Sequence, residues 1–257
     1  MKIKGSIISG VLLLGVGLCV TGYATTRDDF NYDELAKSEF EIVEDTFDAE
    51  NLKGIKCDIT AENIKIISTD NVNIKITSKK SEELNYTFSI DDENYLNVVQ
   101  NIEKSWGFID WNIFNINKTV DPLIIEIPKN SKYELFLDLK AANLEIKDLD
   151  FTKVDLLCNA GNIDMDNCNV DYLNVDVNAG NLDFNEFTIG ELMCKMNAGN
   201  ADFKAKITKS ANLSCNAGNI DVILTDNKDN YTINGVGNGS VKILTEEDAS
   251  DIDIKFE

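Results

Sequence analysis

Histidine is absent from the 257 residues, and proline occurs only twice. The first absence removes the commonest general base, the usual proton shuttle and the most frequent transition-metal ligand together. Most hydrolase constellations and His-based metal centres therefore cannot be assembled. Positive charge is also scarce: 24 Lys and Arg stand against 45 Asp and Glu, a net charge of −21. A surface of that sign repels phosphate backbones and anionic lipid, which argues against nucleic acid as a partner. No helical period persists beyond one or two turns. CxxC pairs are missing too, which excludes the usual structural zinc site.

What is present begins with a targeting element. Lys2 and Lys4 precede a run from Gly5 to Ala24 of 20 residues without a charge, enough to span a bilayer. Asp28, Asp29, Asp33 and Glu34 follow it, so the positive-inside bias puts the N-terminus in the cytoplasm and the rest outside. Gly22-Tyr23-Ala24 is also a small-x-small cleavage pattern. The expected location is the cell membrane, single-pass with the folded part extracellular, or alternatively secretion after signal cleavage. Leu18 stands before Cys19, where lipoprotein processing wants a small residue. The other five cysteines, Cys57, Cys158, Cys168, Cys194 and Cys215, share columns with Leu, Val, Phe and Met in the alignment below, as small buried hydrophobes do.

The strongest signal is a repeat. Asn-Ala-Gly-Asn begins at Asn159, Asn178, Asn197 and Asn216, each 19 residues after the last. One period earlier lies Lys140-Ala141-Ala142-Asn143 and one later Gly235-Val236-Gly237-Asn238, both degenerate copies. After each turn comes an apolar-acid-apolar step, as in Ile163-Asp164-Met165 and Leu182-Asp183-Phe184. Before it comes a second alternating run such as Leu173-Asn174-Val175-Asp176-Val177. Alternation with period two marks half-buried strands. Strands that recur with a fixed period are met by stacked coils with parallel pairing. The expected fold is all-β: a single-stranded parallel β-solenoid (β-helix) with 19-residue coils, preceded by an irregular β cap region and the membrane segment. The expected domains are a signal or anchor at 1–24, a polar linker at 25–38, an N-terminal β region and cap at 39–139, and regular repeats at 140–257.

In that frame Gly161, Gly180, Gly199, Gly218 and Gly237 occupy sharp turns that favour positive φ. Asn162, Asn181, Asn200, Asn219 and Asn238 are expected to stack as an amide ladder. Asp164, Asp183, Asp202 and Asp221 then form one column. The plain reading is a solvated acidic face; the functional rival is a calcium column, since a divalent cation relieves like-charge repulsion. Between Phe40 and Ile127, short runs at 40–46, 55–60, 64–68, 72–77, 86–90, 95–99 and 123–127 read as further strands. Ala61-Glu62-Asn63-Ile64 reads as an eroded turn. One segment gathers Trp106, Phe108, Trp111 and Phe114 within nine residues. It reads as a hydrophobic loop closing one end of the stack, with a partner-binding patch as the alternative.

The strand Ile124-Ile125-Glu126-Ile127-Pro128-Lys129 followed by repeated Ala-Gly-Asn-Ile-Asp turns resembles the putative-adhesin domain of unknown function (LiaG-like) of Gram-positive envelope proteins. That resemblance covers roughly 40–257 and implies a surface role, with some members tied to envelope stress. It brings no catalytic or ligand residues. The expected function is a non-enzymatic, membrane-anchored envelope interaction or scaffold protein, without cofactor, whose partner is an envelope protein or glycan. A calcium-stabilised or self-assembling surface protein is the alternative. A carbohydrate-active β-helix enzyme is a weaker rival, because acidic residues recur evenly instead of clustering.

Overall fold

Alternation in sequence becomes inside and outside in space. In the unit around the turn at Asn178, the side chains of Leu173, Val175, Val177, Leu182 and Phe184 are buried, while Asn181 and Asp183 face water. The same pattern recurs in every unit, so one continuous apolar interior runs the length of the sheet. The structure, a computed structural model, describes residues 41–81, 84–102, 122–225, 232–236, 239–245 and 252–253. The expectations placed on Gly5–Ala24, on Trp106, Phe108, Trp111 and Phe114, and on Gly237 and Asn238 lie outside the described residues.

Among the described residues there is strand and turn only. The elements are β1 (Glu41–Phe47), β2 (Gly54–Thr69), β3 (Ile74–Lys80), β4 (Leu84–Ile90), β5 (Tyr95–Ile102), β6 (Leu123–Pro128), β7 (Lys132–Lys147), β8 (Asp150–Asp166), β9 (Asn169–Leu224), β10 (Thr232–Val236), β11 (Ser240–Thr245) and β12 (Ile252–Asp253). They form one open sheet in the order β1-β3-β6-β2-β7-β8-β9-β11-β12, with β4 and β5 branching from β2 and β10 from β9. All the runs expected before Ile127 are strands. Those at 55–60 and 64–68 join as β2, and the one placed at 72–77 begins instead at Ile74, because Val72 is exposed in the preceding bend.

Pairing from β2 to β9 is parallel. β8 and β9 pair from Asp150↔Asn169 to Asp166↔Asn185, nineteen residues apart throughout. β7 pairs with β8 at the same offset from Glu134↔Lys153 onward, after a register shift at Tyr133/Glu134. β2 pairs with β7 eighty residues away, with Ala61↔Ala141 and Asn63↔Asn143 in register. The Ala61–Ile64 turn is thus a true copy of the repeat's corner. On the far side of β2 lie β5 over Gly54–Asp58 and β6 over Ile64–Thr69, both parallel. Antiparallel β4 then extends β5, and antiparallel β3 and β1 extend β6. The change from parallel to antiparallel pairing ends the regular stack at its N-terminal side.

Each unit also contains a third buried run that the sequence does not announce. Phe187 and Ile189 point inward, as do Cys168 and Val170 one unit earlier and Leu149 and Phe151 before them. The corner ahead of this run is made by Asp148, Asn167 and Glu186, with φ of 57°, 51° and 52°. Asn and Asp tolerate that left-handed conformation better than most residues, so the corner carries no glycine to mark it. Phe184 stacks on Phe187 at 5.5 Å and meets Phe203 edge-on at 4.9 Å.

Candidate functional site

Position 161 and its equivalents are glycines for a reason stronger than φ. A Cβ on Gly180 would lie 1.9 Å from the carbonyl oxygen of Gly161, and one on Gly199 would lie 1.8 Å from that of Gly180. Gly199 and Gly218 do have φ of 129° and 139°. The φ of Gly180 falls outside that range, which corrects the expectation of positive φ at every corner: close approach between successive units is the common requirement.

The asparagine ladder is present. Asn143 donates its side-chain amide to Asn63 at 2.9 Å, Asn162 to Asn143 at 3.1 Å, Asn181 to Asn162 at 2.9 Å, Asn200 to Asn181 at 3.4 Å and Asn219 to Asn200 at 3.1 Å. Sequence reasoning missed a second ladder from the first residue of the same tetrapeptide. Asn178 donates to Asn159 at 2.7 Å, Asn197 to Asn178 at 2.6 Å and Asn216 to Asn197 at 2.7 Å. Both Asn positions face outward at equal spacing, and that was the available signal. Two amide rows thus flank a strip of Ala and Gly along one corner.

Asp164, Asp183, Asp202 and Asp221 stand in register on the outer face of the second run. Burial first, and then the neighbouring carboxylates, push Asp164 and Asp202 above the ordinary carboxylate value. Among the described residues no group of three or more Cys, Asp or Glu has the geometry to hold a metal ion. The column ends in ion pairs: Glu145 is bound by Lys147 at 2.7 Å and by Lys65 at 2.9 Å, which hold its carboxyl below the usual range. Asp183→Asn is expected to stabilise the fold by about 0.5 kcal/mol by removing two like-charge contacts, a rise of about 1–2 °C in Tm. Asp164 and Asp202, held above the ordinary carboxylate value in the fold, contribute most favourably below their unfolded pKa and lose that contribution as pH rises through their folded values, when the repulsion from Asp183 appears. The gain should therefore be seen at pH 7 and vanish near pH 3. Melting curves in calcium and in chelator check it; a cation column would instead make the variant less stable in calcium.

The outer face of the first run has a different character. Lys56 sits over the Tyr95 ring at 4.0 Å and pairs with Asp91 at 2.8 Å. Lys153 lies 4.8 Å from the Phe136 ring and 5.9 Å from the Tyr172 ring, and pairs with Asp155 at 3.4 Å. Tyr95 meets Phe136 edge-on at 5.6 Å and donates its hydroxyl to Glu134 at 2.9 Å. Between these rows, across β5, β2, β7 and β8, is a shallow depression of about 370 Å³ whose lining includes Val99, Asp58, Phe136, Asp138, Asp155 and Leu157.

At the N-terminal end of the stack is a buried polar cluster. Lys79 pairs with Glu62 at 3.0 Å, both nearly inaccessible, and the Tyr86 hydroxyl donates to Glu62 at 2.8 Å. Gln100 accepts from the backbone N–H groups of Thr60 and Ala61 at 2.9 Å each and donates to the Ala61 carbonyl and the Tyr86 hydroxyl. The corner at Ala61 has no earlier unit to pair with, and an amide side chain takes that unit's place. Burial, followed by the Glu62 charge, pushes the Tyr86 phenol up. Among the described residues the thiols are not poised as nucleophiles. The five described cysteines are free and buried, and burial pushes Cys57 and Cys194 up to about 12 and Cys168 to about 11, far from the thiolate a nucleophile needs.

A family model, Toastrack DUF4097, matches residues 52–257. The chain belongs to the Toastrack family. This agrees with the resemblance read from the Ile124–Lys129 strand and the repeated turns, and it places the sheet in an adhesin-like domain of unknown function. A comparison with curated proteins returns no match. Among solved structures, this Toastrack sheet is similar to a putative cell adhesion protein from Clostridium sporogenes (12% identity, 81% of this chain and 100% of that one, TM-score 0.41). It is also similar to a putative adhesin from Bacteroides fragilis (16%, 79% and 97%, 0.43) and to a putative lipid binding protein from Parabacteroides distasonis (12%, 81% and 98%, 0.35). The family assignment rests on the match over residues 52–257.

Proposed function

We propose that the protein is a non-enzymatic β-solenoid of 19-residue coils, held outside the cytoplasmic membrane by its N-terminal apolar segment and displaying its outer faces to a component of the cell envelope. The observation that carries this reading is the register. Partners nineteen residues apart bring equivalent side chains into outward columns, so the chain presents a ruled, rigid, acidic surface instead of a single cleft. Family membership and the charge asymmetry about the apolar segment support the location. The high pKa values of the buried thiols and the even spread of carboxylates support a binding role over catalysis. Lysines on the outer faces, such as Lys140, Lys195 and Lys209, are exposed and provide the test. In intact cells of a Gram-positive host, a membrane-impermeant amine reagent should label them, and the chain should stay with membranes through an alkaline wash. Labelling only after permeabilisation would overturn the location, and with it the envelope role.

A further inference from the structure

The depression on the first-run face has a lining that mixes apolar side chains with surplus charge of a single sign. Leu157 is 41% exposed, large for an aliphatic side chain on a sheet, and Val99 and Phe136 contribute half-buried apolar surface beside it. Asp58, Asp138 and Asp155 rise among them. Compensation is incomplete: Asp155 is met by Lys153, and Asp58 has only an exposed lysine, Lys140, at 3.9 Å. Among the described residues Asp138 makes no ion pair. Lys56, the one lysine in the lining, is already taken by Asp91 at 2.8 Å and Glu93 at 3.7 Å.

The protein itself shows which chemistry this surface accepts. Lys56 and Lys153 each lie over an aromatic ring with a carboxylate beside them, a pairing in which the ring quadrupole and the carboxylate hold one ammonium group together. Phe136 and Asp138 stand two residues apart on the same face of β7; Lys153 covers the Phe136 ring at 4.8 Å, and the Asp138 carboxylate beside it is left without an ion pair among the described residues. Four adjacent strands at about 4.8 Å spacing give the depression a length of about 14 Å, which suits about four residues of extended chain.

We propose that this depression binds an extended segment of a cationic, amphipathic peptide, with aliphatic side chains on Val99, Phe136 and Leu157 and lysine or arginine side chains toward Asp58 and Asp138. The proposal rests on the surface-display reading and names the face and the class of partner. Such a partner is drawn by the long-range field of a chain with net charge −21 and held by the local pairs.

The test uses the full-length chain in nanodiscs of zwitterionic lipid and a fluorescein-labelled hexapeptide of alternating lysine and leucine, read by fluorescence anisotropy. Saturable binding beyond that of empty nanodiscs is expected. D58N/D138N should weaken it about tenfold, the equivalent of one lost well-placed charge pair, and Leu157→Ser should weaken it about fivefold. D164N/D183N, which removes the same charge from another face, should change it less than twofold. Three results overturn the proposal: no binding above empty nanodiscs, equal binding of the glutamate-leucine counterpart, or equal weakening by D164N/D183N, which would reduce the effect to diffuse attraction. Melting temperatures no lower than the parent's for the Asp→Asn variants separate lost contacts from lost fold. Failure here leaves surface display to stand or fall by the labelling experiment, and failure of that experiment leaves binding by the purified chain unaffected.

Discussion

Gly180→Ala is expected to lower stability by about 3 kcal/mol or more, at the upper end for a single added methyl group. The methyl carbon would sit 1.9 Å from the carbonyl oxygen of Gly161, which is backbone and cannot swing aside. Either two units separate locally or the corner peptide rotates, and each breaks parallel pairing that now includes Gly161↔Gly180 and Asn162↔Asn181. Regular pairing already lapses at one corner. Between β7 and β8, where Gly161 faces the carbonyl of Ala142, it runs from Ala141↔Ala160 directly to Leu144↔Ile163. The side-chain oxygen of Asn143 accepts the Asn162 N–H at 3.2 Å in compensation. One such lapse near the stack's end is tolerable; a second in its middle interrupts both amide rows. Urea unfolding should show the loss, equivalent to about 6–12 °C in Tm for a domain of this size. Ala179→Ser, at the exposed neighbouring position, should stay within about 0.5 kcal/mol of the parent. A loss below about 1 kcal/mol for Gly180→Ala would mean that the units are not held at ladder spacing.

The same residues explain why so much of the architecture was legible. A period of 19 in Asn-Ala-Gly-Asn is a direct trace of stacking, because the close approach at glycine and the reciprocal bonding at asparagine both require identity between neighbours. The acidic column was legible for the same reason. The third run was not: its corner residues Asp148, Asn167 and Glu186 reach positive φ without sharing a residue type, and its inward side chains range from Cys168 to Phe187. Nor could the first-run groove be read. It is assembled from Asn97, Lys56, Phe136 and Asp155; Phe136 and Asp155 stand one period apart, but Lys56 joins Phe136 at an offset of 80 residues and Asn97 joins Lys56 at an offset of 41, which a fixed-period alignment does not find. Val99, Asp138 and Leu157 each look like ordinary outward positions until their strands are paired.

The cap was hidden most deeply, and it carries the second large expected effect. Lys79→Met is expected to cost about 3–5 kcal/mol, because it leaves the buried Glu62 carboxylate without its cation. Glu62 stands at the glycine position of the first corner, paired with Ala142, so its side chain is held inside the end of the stack, where it is 5% exposed. Tyr86 and Gln100 remain to donate hydrogen bonds within the cluster, yet neutral donors do not offset a whole charge in a dry site. Removing the charge together with its partner should restore much of the loss. The double variant with Glu62→Gln and Lys79→Met is expected to lie within about 1–2 kcal/mol of the parent, since an uncharged amide keeps the Tyr86 contact and an apolar chain fills the lysine's volume. Chemical denaturation of the parent, both single variants and the double variant closes the cycle. A double variant as unstable as Lys79→Met alone would show that the lysine stem, through its packing inside the cap, matters more than its charge, and that the cap is sealed by shape instead of by the ion pair.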